Sequence, residues 1–305
     1  MSSPALEHAL FVYGGDEELA ARIGPFLREG LEEGSEAIMV VDARKGELLR
    51  GALDSAAARV EFIDCAEHYT RPEAALAGYD ATLRRLVRDG ASSVRVFAEF
   101  PVLDSEAEYD RWLAYEAIVN RAFAHHPAWI TCGYDTRVVP EAVVEHAGCT
   151  HPRLLAEGLL DSPSYLPPSE VVSALTPEPA PTLAGLEPLD FDGDVRALRR
   201  RLAARMARAD VAQPDVEAML QAAGEVLANA ESHGGGIREL RVGECDERFV
   251  LEISDGGPGL DDPAAGYLPP TVAGVDGAGM WVARQLTRRL ELVPCADGLT
   301  VRLWI

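Results

Sequence analysis

The sequence predicts an α/β protein of two domains. The first is built on a mainly parallel sheet, the second is an α/β sandwich with helices on one face of a mixed sheet. Three observations carry this reading. The chain has 305 residues, against about 100–200 per domain. Apolar segments with strand and helix periodicity alternate along residues 9–134, and such alternation with short connections gives parallel strands covered by helices. Asp161–Asp190 holds 7 of the 20 prolines, and proline removes N–H donors and stiffens the chain, as a linker requires. The expected boundaries are 1–168 for the first domain, 169–189 for the linker and 190–305 for the second domain.

The elements follow in order. Ala9–Tyr13 is a short apolar strand. Asp16–Glu32 places Leu19, Ile23, Phe26, Leu27 and Leu31 near helical spacing. Ala37–Val41 and Val60–Ile63 are strands, and Pro72–Asp89 is a helix with Leu76, Tyr79, Leu83 and Leu86 on one side. Val94–Ala98 is a strand, Glu106–His126 a long helix and Ala128–Tyr134 another strand. Beyond the linker, Asp192–Arg208 is a basic amphipathic helix. Gln213–Ser232 is a second helix, with an apolar face through Val216, Met219, Ala223, Val226, Leu227 and Ala230. Leu240–Glu244 and Phe249–Ser254 form a hairpin around Asp246, and a Gly/Pro-rich loop runs to Gly279. Met280–Leu290 is a helix; Leu292–Pro294 and Leu299–Ile305 are strands joined at Asp297-Gly298.

Composition excludes several classes. Acids outnumber bases by 50 to 28, for a formal charge of −22. Direct nucleic-acid binding needs cations that displace phosphate counterions, so this balance counts against it. The acidity is concentrated in residues 1–189, with 15 bases and 31 acids. The bases are 27 Arg and a single Lys, Lys45. No apolar run approaches membrane-spanning length and the N-terminus lacks a signal-peptide pattern, so no membrane association is expected. Five sparse cysteines fit reduced thiols, and the expected location is cytoplasmic.

Three segments of the second domain stand in a telling order. Glu225 and Asn229 lie four apart on one helix and share a face, with His233 four residues further on. A Glu there can act as a general base, and an Asn oxygen can complete a Mg²⁺ shell. Asp255-Gly-Gly-Pro-Gly259 directly follows a strand. Its Asp can accept from an exocyclic amine, and its glycines let backbone approach a nucleotide. Gly277-Ala-Gly279 precedes a helix, where backbone N–H groups can face phosphate. Taken together, the trio resembles the Bergerat ATP-binding fold of gyrase, MutL and histidine kinases. Glu225–His233 is similar to the N box, Asp255–Gly259 to the G1 box and Gly277–Gly279 to the G2 box, with Thr300 similar to the threonine beside adenine.

Asn229-Ala-Glu-Ser-His-Gly234 and the later Gly277–Leu292 segment resemble the anti-sigma-factor serine kinases of the RsbW type. The segment Asp192–Asp210 contains no histidine to serve as a phosphoacceptor. The resemblance implies Glu225 as the base, Asn229 as a ligand of ATP-bound Mg²⁺, and Asp255 as the adenine reader. His233, Gly257, Gly259, Gly277, Gly279 and Thr300 would complete the nucleotide site. It also implies two partners, a sigma factor and a STAS-domain anti-anti-sigma protein phosphorylated on Ser or Thr, and a homodimer. Two other readings stand beside it: a non-catalytic, ATP-dependent sigma-factor-binding module, and an atypical histidine kinase acting on another chain. Gly256 stands where Asn is common and Met280 where Leu is usual.

The first domain resembles the MEDS sensory domain of methanogens, methylotrophs and DcmR. The resemblance rests on His8–Tyr13, Phe26–Leu31, Arg95–Glu99, the Trp112/Tyr115-Glu116/Asn120 helix, Cys132–Asp135 and Thr150–Pro152. It implies a RecA-like α/β fold and a small-molecule ligand. His8, Glu99, Trp112 and Glu116 are the candidates for a sensory pocket, although aromatic residues at this spacing also suit a core. Gly133 departs from the family's usual Pro, so the local loop is expected to differ. Tyr13–Leu19 has no phosphate-binding GxxxxGK[ST] motif, so this domain is not expected to hydrolyse ATP. Cys132, Cys149 and His151 lack the spacing of a known closed zinc site and read as core.

Overall fold

The structure, a computed structural model, describes residues 6–175, 182–259, 262, 264–268, 278–295 and 298–305. Two units divide the chain, Met1–Leu175 and Thr176–Ile305. In the first, β1 (Glu7–Tyr13), α1 (Asp16–Glu32), β2 (Glu36–Val41), α2 (Ala43–Leu53) and a 3₁₀ turn lead to β3 (Val60–Asp64). The short α3 (Cys65–His68), α4 (Pro72–Arg88), β4 (Val94–Glu99), α5 (Glu106–Ala122) and β5 (Ala128–Asp135) follow. Then come α6 (Glu141–Thr150), β6 (Arg153–Leu155), β7 (Leu159–Asp161) and α7 (Pro168–Ala174).

The seven strands order as β3-β2-β4-β5-β1-β6-β7. All neighbours are parallel except the β6–β7 hairpin. β4 is buried at all six residues, as a strand covered on both faces must be. The apolar stripe of α1 (Leu19, Ile23, Leu27, Leu31) packs on Phe11, Met39 and Phe97. Helix α2 has a weak apolar signal because its buried face is Lys45, Gly46, Leu49 and Leu53. Its start is fixed by Asp42, whose carboxylate accepts from the Lys45 N–H at 2.8 Å. Helix α5 ends at Ala122, four residues before the expected His126, since Pro127 forces its predecessor out of helical backbone.

The second unit contains β8 (Glu187–Pro188), α8 (Val195–Arg208), α9 (Gln213–Ser232), β9 (Ile237–Cys245) and β10 (Arg248–Asp255). It ends with α10 (Ala278–Leu286), β11 (Arg289–Cys295) and β12 (Gly298–Trp304). Strand order is β11-β12-β10-β9-β8. Here the expected mixed sheet needs correcting: every neighbouring pair is antiparallel. The crossover through α10 leaves a gap between β10 and β11, and β12 fills it running against both. Asp246 and Glu247 both adopt positive φ (51° and 60°), the backbone of a two-residue hairpin matched to sheet twist. Leu198, Leu202 and Met206 of α8 and Met219, Val226 and Leu227 of α9 bury against Leu251, Ile253, Val301 and Leu303. Helix α10 stops at Leu286, so Leu290 lies on β11 rather than on the expected helix. The Thr287 hydroxyl donates back to the Ala283 carbonyl at 2.8 Å and the Arg288 N–H already joins the Trp304 carbonyl at 2.9 Å. Of the range expected as linker, 169–174 is helical, 187–188 pairs with β9, and 176–181 lies outside the described residues.

Gly133 sits inside β5, opposite Phe11 and Glu99, rather than in a loop. A Cβ there would lie 2.7 Å from Cζ of the buried Phe97 ring. Gly133→Ala should therefore destabilise the first unit by about 1–3 kcal/mol through overpacking. Denaturant unfolding followed by tryptophan fluorescence reads this as a lower midpoint; an unchanged midpoint would mean the ring moves aside freely.

Candidate functional site

In the second unit, α9 sets Glu225 and Asn229 one turn apart, and α10 begins against them. A Cβ on Gly279 would lie 2.9 Å from Glu225 Oε2 and 3.5 Å from both polar atoms of the Asn229 amide. His233 caps α9, its N–H donating to the Asn229 carbonyl at 2.8 Å, and leaves its side chain exposed. At the end of β10, Asp255 Oδ1 accepts from the backbone N–H of Gly257 (3.1 Å) and of Leu299 (3.0 Å). The neighbouring glycines are required by contact. A Cβ on Gly234 would meet the Asp255 carboxylate at 2.5 Å, and one on Gly257 would meet Gly234 Cα at 2.6 Å. A Cβ on Gly298 (φ +147°) would collide with the Asp255 carbonyl oxygen.

Beside these residues opens a cavity of about 620 Å³, within the range of small-molecule sites. Asn229, His233, Asp255, Gly259, Met280 and Leu299 are among its lining residues. Ile253, Leu299 and Val301 make an apolar wall, and Asp255 Oδ2 has no hydrogen-bond partner among the described residues. An apolar slot with one free carboxylate oxygen suits a flat heteroaromatic ring bearing an amine. The nearby Asn229 carboxamide oxygen suits a hard cation. The residues present thus fit ATP, and Asn229 fits its Mg²⁺.

Thr300 is placed elsewhere. Strand alternation puts Leu299 and Val301 toward the cavity. Thr300 faces the other side of the sheet, with Oγ1 2.7 Å from Ser254 Oγ. Gly277 lies outside the described residues.

In the first unit, the sensory candidates separate into three places. Glu99, at the C-terminal end of β4, accepts from Lys45 and from the Tyr13 hydroxyl. Lys45 also donates to Asp135 Oδ2 at 3.1 Å, and Arg137 closes on the same oxygen at 2.7 Å. The Arg137 hydrogen bonds hold the Asp135 carboxyl well below the usual carboxylate range, whereas burial pushes Glu99 up. Trp112 packs edge-on with Tyr69 and Tyr115, with centroids 5.2 and 5.1 Å away. His8 and Glu116 meet, with Nε2 and Oε2 3.3 Å apart, and Cys132 and His151 join them. A small void of about 10 Å³ lies against Tyr69, Tyr79, Tyr115, Glu116 and Cys132. At the start of α1, Glu18 accepts the Gly14 N–H at 2.9 Å, so the chain's own carboxylate takes the donor that a phosphate would use.

Lys45, Tyr13 and Asp135 were not anticipated from the sequence. The available signal was compositional: the one Lys among 28 bases is buried between two carboxylates. Cys149 stands apart from the Cys132 cluster.

Residues 7–152 match the family model of the MEthanogen/methylotroph, DcmR Sensory (MEDS) domain, and residues 189–305 match that of the histidine kinase-like ATPase domain. The chain therefore joins a MEDS domain to a histidine kinase-like ATPase domain, a domain type that binds ATP. No curated protein matches the chain. No helix among the described residues is long and apolar enough to cross a membrane.

Gly234→Ala should displace the Asp255 carboxylate without removing it. ATP affinity measured by calorimetry should fall at least about tenfold, the equivalent of ~1.4 kcal/mol. Unchanged affinity would show that Asp255 does not read the nucleotide.

Proposed function

We propose that this chain is a signalling regulator whose MEDS domain governs an ATP-dependent protein kinase of the anti-sigma type. The observation that carries this reading is the convergence of Glu225, Asn229 and Gly279 beside the cavity that holds Asp255. A bare ATP-binding module needs the cavity and Asp255. It has no need of a carboxylate one helical turn before the cation-binding Asn.

Asp255 accepts the adenine amine through Oδ2, because Oδ1 is committed to two backbone donors. Ile253, Leu299 and Val301 cover the ring and exclude water. Asn229 supplies one oxygen to Mg²⁺. Bound Mg·ATP supplies the γ-phosphoryl group and neutralises charge as it transfers. Glu225 takes the proton from a Ser or Thr hydroxyl of the partner, whose oxygen bonds to phosphorus as the bond to ADP breaks. With positioning and electrostatics carrying most of the acceleration, Glu225 is the one group asked to move a proton.

The acceptor in this reading is a STAS-domain anti-anti-sigma protein, and the sequestered target is a sigma factor. Support comes from the order and spacing of the three motifs and from the lack of His between Asp192 and Asp210. The MEDS domain responds to a small molecule and sets the kinase's availability to its partners.

Mixing the chain with STAS-domain proteins and labelled ATP tests this. Acid-stable phosphate should appear on the partner. Glu225→Gln should reduce its rate by about 10²–10⁴-fold, the usual worth of a general base, while ATP affinity changes less than about twofold. Equal loss of binding and transfer would remove Glu225 from the role of base, and acid-labile phosphate would point to a histidine acceptor.

A further inference from the structure

Four side chains of the MEDS domain that are distant in sequence converge at one buried point. His8 comes from β1, Glu116 from α5, Cys132 from β5, and His151 follows α6. All four are buried, and one ligand atom of each lies within 4.8 Å of the others. The closest separations are alike: His8 Nε2 to Glu116 Oε2 is 3.3 Å, and to Cys132 Sγ 3.4 Å. Cys132 Sγ to Glu116 Oε2 is 3.4 Å, and His151 Nε2 to Glu116 Oε2 is 3.5 Å. Ordinary N–H···O bonds span about 2.7–3.2 Å, so both nitrogen–oxygen pairs are too long for direct hydrogen bonds. A tetrahedral ion with bonds of about 2.0–2.3 Å has ligand-to-ligand edges of about 3.3–3.6 Å.

The outer atoms of both rings are already committed. Asn120 donates its amide N–H groups to the carbonyls of Thr150 (2.7 Å) and Ala117 (3.2 Å), so its Oδ1 is an acceptor. His8 Nδ1, 3.0 Å from that oxygen, therefore carries its ring proton. His151 Nδ1 lies 2.8 Å from the Ala147 carbonyl, which can only accept, so it too is protonated. Burial holds the pKa of His8 down at about 4 and that of His151 at about 3. Each neutral ring then presents an Nε2 lone pair to the common point. His151 Nε2, fully enclosed, has no hydrogen-bond partner. Such outer hydrogen bonds fix the tautomer and aim of metal-binding histidines.

We propose that His8, Glu116, Cys132 and His151 form a closed four-ligand site for a borderline-soft divalent ion of the Zn²⁺ class. Two imidazoles, a thiolate and a carboxylate suit such an ion. The charges sum to zero with M²⁺, as a fully buried site requires. Binding displaces the thiol proton, which leaves to solvent, and forms two M–N bonds, one M–S bond and one M–O bond to the Glu116 carboxylate. Four protein ligands leave no position for a reactive water, so the ion ties β1, β5, α5 and the end of α6 together rather than catalysing hydrolysis. Occupancy of this site would couple metal supply to the packing of the sensory domain.

Reconstitution of the full chain with Co²⁺, followed by absorption spectroscopy, tests the proposal without reference to kinase activity. One equivalent should bind with a thiolate-to-cobalt charge-transfer band and the strong visible bands of tetrahedral Co²⁺, and Zn²⁺ should displace it. Cys132→Ser should lose the charge-transfer band, while Cys149→Ser keeps it. If the first variant does not fold, Glu116→Gln serves: the band should persist with affinity reduced at least tenfold. The Asp80, His125 and His126 group offers no thiolate and is silent in that band. Absence of the band in the wild-type chain, or its survival in Cys132→Ser, would overturn the proposal.

Discussion

The ATPase domain depends on how closely the chain passes around Asp255. One carboxylate oxygen is held by two backbone N–H groups, from Gly257 and from Leu299. That pair joins the end of β10 to the following loop and to β12, so the cavity has a fixed floor. The approach is possible only because Gly234, Gly257 and Gly298 have no side chain to collide with the carboxylate, the backbone or one another. Each of those glycines gives up conformational entropy on folding, and the gain is a carboxylate with one committed and one open oxygen. The same requirement recurs at Gly279, where a methyl group would push into Glu225. Two contact constraints thus fix the Asp255 carboxylate at the end of β10 and the Glu225 and Asn229 side chains against Gly279.

The MEDS domain solves a different problem, that of burying charge. Lys45 stands between Glu99 and Asp135 at the C-terminal ends of parallel strands. A compact ammonium fits between two carboxylates where a broad planar guanidinium demands a fork of partners. Removing one member of such a group leaves an uncompensated buried charge, which typically costs about 3–5 kcal/mol. In a chain that otherwise uses only Arg, this geometry gives a physical reason for the single Lys. The second polar cluster, around Glu116, takes His8 and Cys132 from the opposite face of β1 and β5, and burial leaves its histidines uncharged.

Much of this was legible in the sequence. Long periodic elements such as Asp16–Glu32 and Gln213–Ser232 were placed to the residue because their apolar stripes are long and their ends are marked. Helix α2 was missed since half its buried face is Lys45 and Gly46, which carry no apolar signal. The three ATP-site motifs could be found because contact chemistry forces particular residue types at fixed spacing. Thr300 shows the limit of matching letters: a shift of one residue along a strand exchanges faces, and the cavity-facing positions are Leu299 and Val301. His8, Glu116, Cys132 and His151 were visible singly, but their meeting depends on a sheet order that brings β1 beside β5, which local patterns do not encode.

We assign the nucleotide to the cavity bounded by Asn229 and Asp255. Calorimetric titration of the intact chain with ATP, with and without Mg²⁺, tests this assignment most directly when repeated on Asn229→Ala. Saturable one-to-one binding strengthened by Mg²⁺ is expected, with the Mg²⁺-dependent increment lost in the variant. Absence of binding to the intact chain, or an undiminished Mg²⁺ increment in the variant, would contradict it.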